Sequence, residues 1–295
     1  MNFIFFNIID AAMWFNGMLL RRVFYIVLLF CSISLVGLAN DKIVSLTPAA
    51  TREIIMLKKA EALVGCSSYG VLPNGLNIRR VGSVVGADIE TILKLKPDLV
   101  IVSSLMNPND INKMSSLGLN VVIFNSPKSF DDICNQMLRL ANLIDREDLA
   151  NRIVKRAKRM VFKIKKATEE LNKVKVFVQI GANPVFTANK DSFINDFITF
   201  AGGINIAANV RNGIYSPAEV IRSNPDAIII SQMGFDGVKQ AKRWRQFKFL
   251  NAVKNNKILI LDDYSLCSPD PLSFAKTLLK IAKFLHPEVD FEKLD

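Results

Sequence analysis

Chemistry that depends on histidine has a single residue to draw on, His286, which lies beside Pro287 near the end of the chain. A histidine-based nucleophilic triad, a histidine general base and a multi-histidine zinc site all need more than that. No strand-like run is followed by a Gly-x-Gly-x-x-Gly or Walker-type loop. Gly202-Gly203 reads as the end of a helix. No catalytic set assembles, and no metal site is expected. The tyrosines are more informative. Tyr25 lies in the N-terminal apolar run, whereas Tyr69, Tyr215 and Tyr264 all fall in predicted loops beside strand or helix ends. Met106, Met233 and Phe235 also follow strand-like runs directly. A ring with a polar tip, set among soft apolar side chains, suits a flat and partly polar ligand.

The elements that must carry these residues alternate. Lys42–Leu46, Leu99–Val102 and Val121–Phe124 read as buried strands, with helices over Asp88–Lys96 and Asn109–Leu117 between them. The pattern restarts with strands at Lys175–Ile180, Ala227–Ile230 and Lys257–Leu261, and helices at Ser192–Ala201, Ala218–Ser223 and Pro271–Phe284. Such alternation makes parallel sheets covered on both faces, with ligands at the carboxyl ends of the strands. One long amphipathic helix separates the halves, its expected apolar stripe being Ile153, Ala157, Met160, Ile164, Ala167 and Leu171. The division is N-terminal lobe 40–145, bridging helix 146–173 and C-terminal lobe 174–295. The halves echo one another: Asp88 to Ile101 and Ala218 to Ile229 each run from a short acidic helix through Pro-Asp into an apolar strand.

The 295 residues carry a net charge of +11, and half of them are hydrophobic. The cations crowd into Arg152, Lys155, Arg156, Lys158, Arg159, Lys163, Lys165 and Lys166, which read as the solvated back of the long helix rather than a nucleic-acid surface. Arg21-Arg22, the apolar run from Val23 to Leu38 and the small residues Gly37-Leu38-Ala39 read as a secretory signal peptide over 1–39, with Met18 as an alternative start. No later stretch is long and apolar enough to span a bilayer. Cys66, Cys134 and Cys267 match no zinc or redox spacing; an oxidising compartment permits one disulfide among them, and Cys134 fits a buried small hydrophobe.

Four stretches, in order, resemble the substrate-binding proteins of ABC importers for cobalamin, haem and ferric siderophores, and most closely the cobalamin-binding members. They are Ile43–Thr51, Val64–Tyr69, Gly86–Asp98 and Val176–Thr187 continuing to Gly202–Ile206, within a likeness that spans roughly Asp41 to Pro287. The resemblance implies two α/β lobes bridged by one long helix, the class III periplasmic-binding-protein architecture, acting without catalysis as a monomer. It implies that Ser68, Tyr69, Asn183 and Tyr264 line a ligand cleft, with Tyr215, Met106, Met233 and Phe235 as further wall residues. It implies docking of a permease and its ATPase subunits through Glu90 on one lobe, with Glu219 offset by one residue from the second docking position. Tryptophans that flank the corrin in cobalamin binders align near Val84 and Ser103, so the ligand stays open between a corrinoid and haem or a ferric siderophore, where methionine or tyrosine could ligate iron. A reading from another class is an α/β enzyme that takes a nucleotide or sugar in the same place; a third is a receptor domain that signals or scaffolds.

Overall fold

A computed structural model describes residues 42–291 except Met233, and only the backbone of Asp263. The expected signal peptide and Met233 therefore lie outside the described residues. In the first lobe the chain runs through β1 (Ile43–Ser45), α1 (Pro48–Met56), β2 (Leu63–Cys66), β3 (Arg79–Arg80), α2 (Ile89–Leu95), β4 (Leu99–Ser103), α3 (Pro108–Ser116), β5 (Val121–Phe124) and α4 (Phe130–Leu143). The long helix α5 (Glu147–Thr168) follows. The second lobe holds β6 (Val174–Gln179), the hairpin β7 (Gly181–Ala182) and β8 (Val185–Phe186), α6 (Phe193–Phe200) and β9 (Gly203–Asn205). It continues with α7 (Pro217–Ser223), β10 (Ala227–Ser231), α8 (Gly237–Trp244), α9 (Asn251–Lys254), β11 (Ile258–Leu261), α10 (Asp263–Cys267) and α11 (Pro271–Leu285).

Each lobe is built on a parallel sheet. The first orders its strands β3-β2-β1-β4-β5 and the second β11-β10-β6-β9. Setting aside β3, the two orders are the same: the first strand is central, the second lies to one side and the third and fourth to the other. The echo seen in the sequence is the hinge of this likeness. Asp98 accepts a hydrogen bond from the N–H of Lys42, and Asp226 accepts one from Lys175, both at 3.0 Å. The backbone of each aspartate returns a bond to the same lysine carbonyl, at 2.9 and 2.8 Å. Pro-Asp thus anchors the third strand of each lobe beside the start of the first. The preceding helices end on left-handed residues, Lys96 at φ 49° and Asn224 at φ 42°.

Strand alternation sends one face of each sheet to a private core and the other to a shared one. Val44, Val100 and Val102 pack under α2 and α3, and Phe177, Ile228 and Ile230 pack with Trp244. Ile43, Leu99 and Ile101 from the first lobe join Val176, Val178 and Ile229 from the second in a single cluster. Helices α4, α5, α6 and α11 fill it. Phe130, Phe274 and Phe197 run through it with ring centroids 4.7 and 4.0 Å apart. Asp196 on α6 accepts the N–H of Phe130 at the start of α4, at 2.8 Å.

Helix α5 has 22 residues and buries Ala150, Val154, Ala157, Val161, Ile164 and Thr168. The spacing of three and four is as expected, but the stripe is centred differently. Ile153, Met160 and Ala167 flank it, and Leu171 lies past the helix end. Cys66 and Cys134 are buried thiols, and Cys267 Sγ lies 3.4 Å from Ser231 Oγ. Burial pushes the Cys134 thiol up to about 12, which keeps it protonated and inert. His286 is also buried, against Gly202, whose φ of 77° and crowded surroundings leave no room for a side chain.

Candidate functional site

Because both sheets are parallel, the loops that leave their strands gather at one edge of each lobe, and these edges touch. Tyr264, on α10 after β11, donates its hydroxyl to the carbonyl of Tyr69, after β2, at 3.2 Å. Arg52 on α1 places its guanidinium 5.4 Å from the Tyr264 ring centre, donates to the carbonyl of Ser268 and pairs with Asp270 at 3.8 Å. One phenol and one guanidinium therefore stitch the two lobes at the carboxyl ends of their sheets.

The Tyr69 loop is held from beneath. Arg80 on β3 donates to the carbonyls of Ser67 and Gly70, both at 2.7 Å, and to Cys66 Sγ at 3.1 Å. A Cβ at Gly70 would sit 3.1 Å from the same guanidinium, so a side chain there would press on the clamp. Nothing in the spacing of Arg79-Arg80 marks this clamp, because the partners are carbonyls rather than side chains. Three further polar atoms of this wall are buried without a protein partner: Thr47 Oγ1, Arg52 Nη1 and Ser67 Oγ. Thr47 is the N-cap residue of α1, yet its side chain makes no capping bond.

On the buried face of α1, Glu53 is 3% exposed. Burial raises its pKa well above the usual carboxylate range, the nearby Asp270 adds to the rise, and Arg52 opposes it. The rim of the first lobe is apolar. Tyr69, Val85 and Leu105 are each about three-fifths exposed, at 61%, 60% and 61%. Backbone bonds link their loops, from Ser68 to Gly82 and from Asn107 to Val85. Val85 and Leu105 were not expected from the sequence, where a lone valine or leucine in a loop carries no signal. In the second lobe the β7–β8 hairpin carries Asn183 exposed at its turn, with a cis bond to Pro184, and Phe186 partly exposed beside Ile214.

The structure separates the expected site residues. Ser68, Tyr69 and Asn183 lie on loops at the strand ends, whereas Tyr264, expected in a loop, sits on the short helix α10 after β11. Met106 does not: it is 2% exposed and packs in the private core of the first lobe, leaving Leu105 at the surface in its place. Phe235 is half-buried against the private core of the second lobe. Tyr215 lies tilted against Phe177 at 5.8 Å between ring centres, and its hydroxyl meets Ser223 Oγ at 3.0 Å and the Ile206 carbonyl at 3.4 Å, so it serves the lobe's own packing. Among the described residues, no cluster of three or more His, Cys, Asp or Glu is arranged to hold a metal.

Glu90 occupies the second position of α2 after the cap Asp88; its side chain is 81% exposed and meets Lys94 at 2.6 Å. The matching position on α7 is Ala218. Glu219 comes one residue later and closes a capping box, accepting the N–H of Ser216 at 2.7 Å while Ser216 Oγ accepts its own N–H. The Ser216 bonds hold its carboxyl below the usual range.

Residues 43–265 match the family model described as periplasmic binding protein. The chain belongs to the periplasmic binding protein family. Its likeness to an uncharacterized ABC transporter substrate-binding lipoprotein of Bacillus subtilis is 27% identity over 258 residues, covering 84% of this chain and 80% of that one. A vitamin B12-binding protein of Vibrio parahaemolyticus is 24% identical, over 84% of this chain and 90% of its own. Among solved structures, the periplasmic vitamin B12-binding protein of Vibrio cholerae and the apo haem-binding protein of Roseiflexus each superpose with a TM-score of 0.74 at 22% identity, covering 84% of this chain and 98% of theirs. Like these, this periplasmic binding protein has the class III fold: two α/β lobes on parallel sheets, joined by a long helix.

Proposed function

We propose that this periplasmic binding protein captures a tetrapyrrole-sized ligand, cobalamin or a related corrinoid, between its lobes and delivers it to an ABC permease and its ATPase subunits. The reading rests on the lobe junction, where Tyr264 meets Tyr69 at the carboxyl ends of both sheets beside an apolar rim. The vitamin B12-binding relatives support the choice of ligand. Ligand contact falls to Ser68, Tyr69, Asn183 and Tyr264, with Val85 and Leu105 as apolar wall. The protein performs no reaction on the ligand. It works outside the cytoplasm as a monomer, after export through residues 1–39.

Glu90 docks the permease. Charge at a rim steers encounter and fixes orientation more than it adds affinity. Glu219 keeps its negative charge, but with its carboxylate held on Ser216 it contributes less.

A second reading within the family is haem. The exposed Tyr69 ring favours it as the iron ligand, because Met106 is buried and the Tyr264 hydroxyl is engaged. Absorbance titrations with cyanocobalamin, haem and a ferric catecholate separate these. Saturable spectral change with cyanocobalamin alone is the expected result. A flat cobalamin trace with a shifted haem Soret band would move the assignment to haem, and three flat traces would end the ligand reading.

A further inference from the structure

The back of the molecule carries a surface that ligand capture does not use. From Leu149 to Thr168 helix α5 has no carboxylate, while Arg152, Lys155, Arg156, Arg159 and Lys166 stand exposed. None of these five has an ion-pair partner among the described residues; Asp131 pairs with Lys158, at 2.8 Å. Arg152 with Arg156, and Lys155 with Arg159, are like charges one turn apart, an arrangement that weakens a helix in water. Helix α11, packed alongside, adds Lys276, Lys280 and Lys283 and likewise has no acid from Pro271 to Leu285. On the flank of α5 turned away from α11, Phe162 is 65% exposed. The residues three and four positions to either side of it are Lys158, Arg159, Lys165 and Lys166; Lys158 pairs with Asp131 and Lys165 lies 4.2 Å from the Phe200 ring centre, which leaves Arg159 and Lys166 as the exposed cations beside the ring. Further round α5, on the side that meets α11, a hollow between the two helices is lined by Arg156, Arg159 and Lys163 together with Met160, Leu279 and Phe291.

We infer that the α5–α11 face docks on an anionic lipid bilayer, with headgroup phosphates on the arginines and lysines and the Phe162 ring in the headgroup–acyl boundary. An exposed aromatic side chain beside cations on one helix is the pattern of an interfacial helix. Cations and apolar side chains lining one hollow match a phosphate and its acyl chain. Single-stranded nucleic acid is gripped by a series of aromatics that stack on successive bases, and this face offers one exposed ring. Each basic residue near an anionic surface adds a small increment that salt screens, so the contact is reversible.

The test uses the folded body from residue 40 onward, which contains both sheets and all three cores. It is sedimented with phosphatidylcholine vesicles, with and without about 30% phosphatidylglycerol. Recovery is expected on the anionic vesicles only, and is lost as salt rises from about 0.05 to about 0.5 M, where screening shortens severalfold. Arg159→Glu with Lys166→Glu should abolish it. Phe162→Ser should weaken it by about tenfold without changing the melting profile. Equal recovery on both vesicle types would overturn the inference, as would charge reversal without effect. Binding unchanged by Phe162→Ser would reduce the face to a general polyanion surface and overturn the lipid reading. Tighter binding to a single-stranded oligonucleotide than to vesicles would reassign the face to nucleic acid.

Discussion

Two glutamates that look alike in sequence do different work at the helix starts of the two lobes. Glu90 reaches water and pairs with Lys94, whereas Glu219 reaches back to its own cap. A glutamine keeps a capping box but removes the charge. Glu90→Gln should therefore reduce uptake severalfold with ligand affinity unchanged, while Glu219→Gln should leave both uptake and melting temperature nearly as they were. Uptake that falls as much in the second variant would restore the symmetric docking that the offset argues against. Glu53 gives a second prediction. Its pKa in the folded chain is raised by burial, so between the unfolded and folded values the native state holds a proton that the unfolded state has released. Stability then falls as pH rises through that window. Glu53→Gln should unfold at higher denaturant than the wild type near neutral pH, with the difference closing at acid pH. A constant difference across pH would remove burial as the cause.

Long elements with a strong period were legible, and short ones held by tertiary contacts were not. The strands β4, β5 and β10 and the helices α2, α6 and α11 lie within a residue or two of their expected bounds, because buried β-branched runs and helix caps such as Ser192 and Asp270 leave local marks. The two-residue strands β3, β7 and β8 leave none. Their pairing depends on a partner strand and, at β7, on Gly181 letting the Phe186 ring lie 2.8 Å from where a Cβ would be. The same limit hid the Arg80 clamp. Hydrogen bonds from a charged donor to backbone carbonyls contribute about 1–2 kcal/mol in such settings. Arg80→Ala should lower stability by about that amount in urea unfolding, and should weaken ligand binding as the Tyr69 loop loosens. Unaltered affinity would mean that the loop holds its shape without the clamp.

At the scale of the whole molecule, the shared core decides how the lobes behave. Side chains from both sheets pack in one cluster with α5 and α11, so neither lobe can open widely without exposing that cluster. Unfolding should be a single transition. Trp244 in the second lobe, whose indole N–H donates to Gln179 at 2.7 Å, and far-ultraviolet circular dichroism should report the same midpoint. Separate midpoints would show independent lobes. The site was legible in part for the same reason. Tyr69 and Tyr264 both follow strands, as expected, because parallel topology sends the chain after β2 and β11 to one edge, but Tyr264 sits on a short helix rather than in a loop. Met106 and Tyr215 sit equally close to strand or helix ends, but the direction of a side chain at a loop is set by packing that no local pattern records. The most direct measurement of ligand capture at the junction is an absorbance titration of the wild type beside Tyr69→Ala, a change at an exposed side chain. One ligand per chain for the wild type, with at least tenfold weaker binding in the variant at an unchanged melting temperature, is the expected result; equal affinity in both proteins would contradict it.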